Sequence, residues 1–72
     1  MSNNMNKYVT EVALKALKSA DYTKLPATRS ALLKFIKAAG IRSETLQYNA
    51  AFELILSKII KIDNGRLSYQ LD

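Results

Sequence analysis

Cysteine and histidine are both absent from this 72-residue chain. Without cysteine, no disulfide and no thiolate metal site can staple the fold. Without histidine, the usual zinc ligand and the usual acid–base group near neutral pH are missing. A chain free of disulfides fits a reducing compartment, and a cytoplasmic location is the expectation. Long apolar runs are also lacking: the stretch from Ala50 to Ile62 is interrupted by Glu53, Ser57, Lys58 and Lys61. Met1–Asn6 is polar, so neither a targeting segment nor a membrane partner is expected. Carboxylates are few and scattered. Glu11, Glu44 and Glu53 fall along helical segments, and Asp21, Asp63 and Asp72 fall in a connector, a turn and the terminus. No paired-acid or metal-ligand spacing, no nucleophile relay and no glycine-rich phosphate loop is present. These absences point away from an enzyme and give no cofactor or metal.

What remains is a small, basic chain with one apolar core to build. Its length suits a single domain, taken here as residues 7–72 behind a flexible tail over 1–6. Such a domain buries only about 60% of the surface its unfolded chain exposes. Eleven Lys and Arg against six Asp and Glu leave a formal charge of +5, which favours polyanionic partners. Lys15, Lys18, Lys34 and Lys37 weigh more as a solubilising surface than as a dedicated stripe.

Three helical segments follow one another. Val9, Val12, Ala13, Ala16, Leu17 and Ala20 recur at three- and four-residue spacing, with Asn4 or Asn6 as the expected cap of a first helix. Asp21–Lys24 is a connector, and the proline after Leu25 favours extended geometry, so a short strand over Tyr22–Leu25 is expected. Pro26 suits the mouth of a second helix, whose inner face is Ala31, Leu32, Phe35, Ile36 and Ala39. Gly40 ends it in the left-handed conformation, with Ile41 folding back on the last turn. Ser43 or Thr45 caps a third helix dense in apolar residues: Leu46, Ala50, Ala51, Phe52, Leu54, Ile55 and Leu56. Its density suggests the central helix. Phe35 and Phe52 are expected in the core, where Phe→Ala costs about 3–5 kcal/mol, and Tyr8 and Tyr22 are expected to cover its ends. Asn49 falls near the apolar side, to make a polar contact or lie at an interface.

The chain closes with its most legible element. Asn64-Gly65 supplies the two positive-φ positions of a type I′ turn between alternating strands. Asp63 then faces Arg66, Ile62 faces Leu67, Lys61 faces Ser68 and Ile60 faces Tyr69. Ile60, Ile62, Leu67, Tyr69 and Leu71 share one face, and a one-residue slip would put that set in water. An isolated hairpin is marginal, so this face must rest on helices. The fold class is therefore small α+β, with three helices followed by a C-terminal β-hairpin.

That element order resembles the winged helix-turn-helix superfamily over roughly residues 26–71. Ile41 and Leu46 fill two places that such families commonly keep apolar around the turn glycine. Ile36 stands where a small residue is common, and Asn49 where an apolar one is. The resemblance implies a third helix that enters the major groove by its N-terminal residues and a wing that contacts phosphate or the minor groove. On this chain the implied contacts are Arg42, Ser43, Thr45, Gln47 and Tyr48, with Lys61 and Arg66 on the wing. Gln, Thr and Arg are chemically suited to base edges and phosphates. Duplex DNA binding in the regulation of transcription or replication, as a small accessory factor, is the leading expectation. The alternative is a protein-interaction or inhibitory module that uses the third helix and the hairpin. Homodimerisation through the same elements is expected from their apolar density and the unpaired hairpin edge.

Overall fold

A computed structural model describes residues 2–71, with side chains from Asn6 onward. Three helices, α1 (Ser2–Ser19), α2 (Arg29–Ala38) and α3 (Glu44–Leu56), precede strands β1 (Ile60–Asp63) and β2 (Arg66–Tyr69). This is the winged helix-turn-helix element order, in a small α+β fold. Helix α3 is central, touching α1, α2 and β1, and α1 packs on it most extensively. Helix α1 starts at Ser2, ahead of the expected Asn4 or Asn6 cap, so the 2–6 part of the expected tail is helical. Met1 lies outside the described residues. Asn6 instead serves the helix packing: its side-chain oxygen accepts from the Asn49 amide at 3.1 Å. That bond gives Asn49 the polar contact its position called for.

The core is built from the stripes read in the sequence. Val9, Ala13 and Leu17 of α1, Leu32 and Ile36 of α2, and Ala50, Ala51 and Leu54 of α3 are buried together with Ile41, Ile60 and Leu67. Small residues at 13, 50 and 51 let the helix axes approach closely, so dispersion contacts are made largely by the leucines and isoleucines around them.

The C-terminal ends of α2 and α3 use the same hydrogen-bond pattern. At the end of α2, the Gly40 amide donates to Lys37 O at 3.0 Å and the Ile41 amide to Ile36 O at 3.4 Å, with Gly40 at φ +113. This is a Schellman motif. At the end of α3, Lys58 N–H donates to Ile55 O at 3.0 Å and Ile59 N–H to Leu54 O at 3.1 Å. Here the left-handed position is occupied by Lys58, at φ 65. The sequence carries no glycine at that point, so the run from α3 into the hairpin reads as unbroken although the helix stops.

The connector between α1 and α2 is a 3-10 turn over Tyr22–Lys24 rather than the expected strand. Asp21 decides this by accepting from both the amide and the hydroxyl of Thr23, at 3.2 and 3.0 Å. Tyr22 is exposed, as is Tyr8, so neither covers the core. Pro26 lies upstream of the helix mouth, because Thr28 is the cap of α2 and accepts from the Ala31 amide at 3.3 Å. Pro26 is buried and its carbonyl accepts from the Tyr69 hydroxyl at 2.7 Å. The next carbonyl, Ala27 O, accepts from Leu67 N–H at 2.8 Å. A single ladder-like bond thus joins the segment before α2 to the outer edge of β2.

The hairpin has the register read from the sequence, Ile60 to Tyr69 through Asp63 to Arg66, around Asn64 (φ 53) and Gly65 (φ 79). Ile60 and Leu67 are buried, but Ile62 is 42% exposed. Leu67, directly across from Ile62, is buried, so at this pair the core covers the β2 side of the face and leaves the β1 side partly in solvent. Burial also pushes the Tyr69 hydroxyl up to about 12. No helix among the described residues is long and apolar enough to cross a membrane.

Candidate interaction surface

The helix-turn-helix corner is held by three local devices. Ser43 caps α3, its hydroxyl accepting from Leu46 N–H at 3.3 Å, which settles the start ahead of Thr45. The Gly40 turn reverses the chain. Gln47, one turn into α3, is only 5% exposed and donates its side-chain amide to Ile41 O at 2.8 Å. That bond ties α3 back to the turn and satisfies a carbonyl that has lost access to water.

Of the residues that the family resemblance implied, Arg42, Ser43, Thr45 and Tyr48 are exposed at the start of α3. Gln47 is buried against the turn at the floor of the depression that Arg42 and Tyr48 border, with its amide already used. Lys61 and Arg66 are exposed on the hairpin, with Arg66 directly across from Asp63. Arg42 stands at one surface depression with Lys34 and Lys37 of α2. Lys58 lies at the base of the hairpin with Tyr22 and Tyr69, and Lys15 and Lys18 lie on the outside of α1 with Tyr8. The cations therefore line separate depressions.

The outward side of α3 is occupied differently. Tyr48, Phe52 and Leu56 follow at four-residue spacing, 53%, 59% and 58% exposed. Phe52 is thus a surface residue and not the core residue its chemistry suggested. The inner positions next to it are already filled by Ala50, Ala51 and Leu54, all buried. From Glu44 to Leu56 the helix contains two glutamates and no lysine or arginine.

Between this stripe and α2 runs an apolar groove of about 250 Å³, with Leu33 and Arg29 on one wall and Tyr48, Phe52 and Ile55 on the other. Leu33 and Tyr48 also border the depression that holds Lys34, Lys37 and Arg42, so the two hollows adjoin. Arg29 is the first residue of α2, with no acidic residue in that turn. The helix dipole disfavours a cation there, so its position is not explained by helix stability. Nothing in the composition or spacing of the sequence marks Arg29, Leu33 and Phe52 as residues of one surface. The one signal is confined to α3: alanines at 50 and 51 mark its close-packed side, which turns the bulky residues at 48, 52 and 56 outward. Among the described residues no group of His, Cys, Asp or Glu is arranged to hold a metal ion.

No protein-family model, curated protein or solved structure matches this chain.

Proposed function

We propose that the chain is a non-catalytic protein-interaction module built on a winged-helix frame, which docks a partner protein against the outward side of α3. The observation that carries this is the stripe Tyr48–Phe52–Leu56 on a helix devoid of lysine and arginine. A helix reading the major groove meets polar base edges and flanking phosphates, with thymine methyls as the main apolar target. Phenylalanine and leucine facing outward beside two glutamates suit that environment poorly. Clustered, exposed aromatic and aliphatic side chains are what a protein partner desolvates with profit.

Photo-crosslinking in the cells that make the protein tests this. Phe52 replaced by benzoylphenylalanine is expected to form discrete protein adducts, whereas the same probe at Lys15 forms none of them. Nuclease-sensitive adducts at position 52, or none at all, overturn the reading.

Duplex DNA binding in regulation is the second reading, favoured by Lys34, Lys37 and Arg42 at the turn and by Lys61 and Arg66 on the hairpin. It predicts sequence-selective binding whose logarithm falls with log salt by about 0.9 per phosphate contacted. Neutralising Arg42 and Arg66 together is then expected to weaken binding while the circular dichroism spectrum is unchanged. Duplex binding that is sequence-indifferent, and gone at physiological salt, leaves the interaction reading in place.

A further inference from the structure

We infer that the groove between α2 and α3 receives an acidic amphipathic helix from the partner, its apolar side chains against Leu33, Phe52 and Ile55 and its carboxylates over Lys34, Lys37 and Arg42. The inference rests on the interaction reading of the same surface and adds the chemistry of the occupant. Charge selects it. The two adjoining hollows are bordered by four cations, Arg29, Lys34, Lys37 and Arg42, and by one carboxylate, Glu44. All five side chains are exposed, so the cations are free to turn toward an incoming segment. Arg29 supports this from a place where its own helix dipole opposes it. A second copy docked through the same face would bring the same four cations toward the first set, on a molecule already at +5.

The shape selects a helix. A groove walled by two helices is the surface into which an amphipathic third helix lays its apolar side. From Glu44 to Ile55 the lining spans eleven helical steps, roughly 16 Å at the α-helical rise, or about three turns of an occupant. The apolar hollow lies at the Phe52 end and the cationic hollow at the turn. An occupant with bulky apolar residues on one side and Asp or Glu flanking them satisfies both.

Selection from a displayed library of amphipathic helices of about 15 residues tests the inference, with apolar positions fixed and flanking positions randomised without charge bias. The intact chain is the bait, and the Phe52→Ala variant is the counter-selection. Because Phe52, Lys34 and Lys37 are exposed, these variants are expected to fold, and thermal melts check that they do. The expected pool is enriched in Asp and Glu over Lys and Arg. A representative clone should lose at least about tenfold in affinity with Phe52→Ala. It should lose severalfold with Lys34→Glu/Lys37→Glu, and weaken as salt is raised.

A pool that depends on Phe52 but shows no acidic preference overturns the inference and leaves the interaction reading standing. So does a doubled mass in sedimentation equilibrium that reverts to monomer with Phe52→Ala, which makes the occupant a second copy. No binders dependent on Phe52, together with selective duplex binding, overturns both.

Discussion

The inner and outer faces of α3 differ in side-chain size far more than in polarity. Inside lie Gln47, Ala50, Ala51 and Leu54, and outside lie Tyr48, Phe52 and Leu56. The larger apolar surface therefore faces solvent, while two alanines and a hydrogen-bonded glutamine take part of the core. Burial on a central helix therefore follows the space its neighbours leave, and that space here takes two alanines along with Leu54 and Gln47. Hydrophobicity alone ranks Phe52 above Ala50 as a core residue; packing ranks them the other way.

The sharpest test sets two residues of the same helix against each other. Leu54 is fully buried, so Leu54→Ala is expected to cost about 2–5 kcal/mol in chemical denaturation. In a domain this small, that is enough to leave a large unfolded fraction at 25 °C. A loss under about 1 kcal/mol would show that the inner face is looser than its burial implies. Gln47→Leu comes next. It keeps the volume and removes the donor to Ile41 O, leaving a buried carbonyl unpaired, with an expected loss of about 1–3 kcal/mol.

Tyr69→Phe carries the comparison to the hairpin, where one polar group is again enclosed by packing. Losing its bond to Pro26 O is expected to cost about 0.5–1.5 kcal/mol. The folded hydroxyl titrates at about 12 against 10.0 for the free group. The folded state therefore holds its proton longer, and the stability this residue adds is complete below pH 10 and lost as pH rises toward about 12. Denaturation measured across that alkaline range should show the decline in the parent and not in Tyr69→Phe.

Lys58→Gly is expected to stabilise by about 0.5–1 kcal/mol, the left-handed penalty relieved less the entropy glycine adds to the unfolded chain. No gain in melting temperature would indicate that Lys58 contributes contacts offsetting its backbone strain. The smallest effect belongs to Phe52→Ala, expected within about 0.5 kcal/mol of the parent, as for an ordinary surface substitution. A loss of several kcal/mol would return Phe52 to the core and remove the outward stripe with it.

Much of the fold was legible. The α1 stripe needs only periodicity, and the α2 stop at Gly40 needs only the chemistry of a residue without a β-carbon. The hairpin register follows from Asn64-Gly65 and strict alternation, because a slip would expose the apolar set. The α3 stop was not legible, since Lys58 adopts a left-handed backbone for which its own chemistry gives no signal. Nor was the connector, where a local Asp21–Thr23 turn prevailed over the extended bias before Pro26. Of the expected contact residues, Arg42, Thr45 and Tyr48 are exposed at the α3 entrance, whereas Gln47 is buried; polar character does not say which way a side chain points.

The sequence by itself determined the element order, the hairpin pairing, the two glycine turns and an excess of positive charge. These are local: each depends on backbone preferences or on spacing within a few residues. Only the tertiary structure turns Phe52 to water, sets Gln47 to brace the turn, leaves Ile62 partly in solvent, and brings Arg29 to one hollow beside the adjoining one that holds Lys34, Lys37 and Arg42. The reason is that bulky apolar residues of α3 occur on more than one side of the helix, at 46, 54 and 55 as well as at 48, 52 and 56. Its own pattern leaves its orientation undetermined, and the neighbouring helices select the face with the smallest side chains for their closest approach.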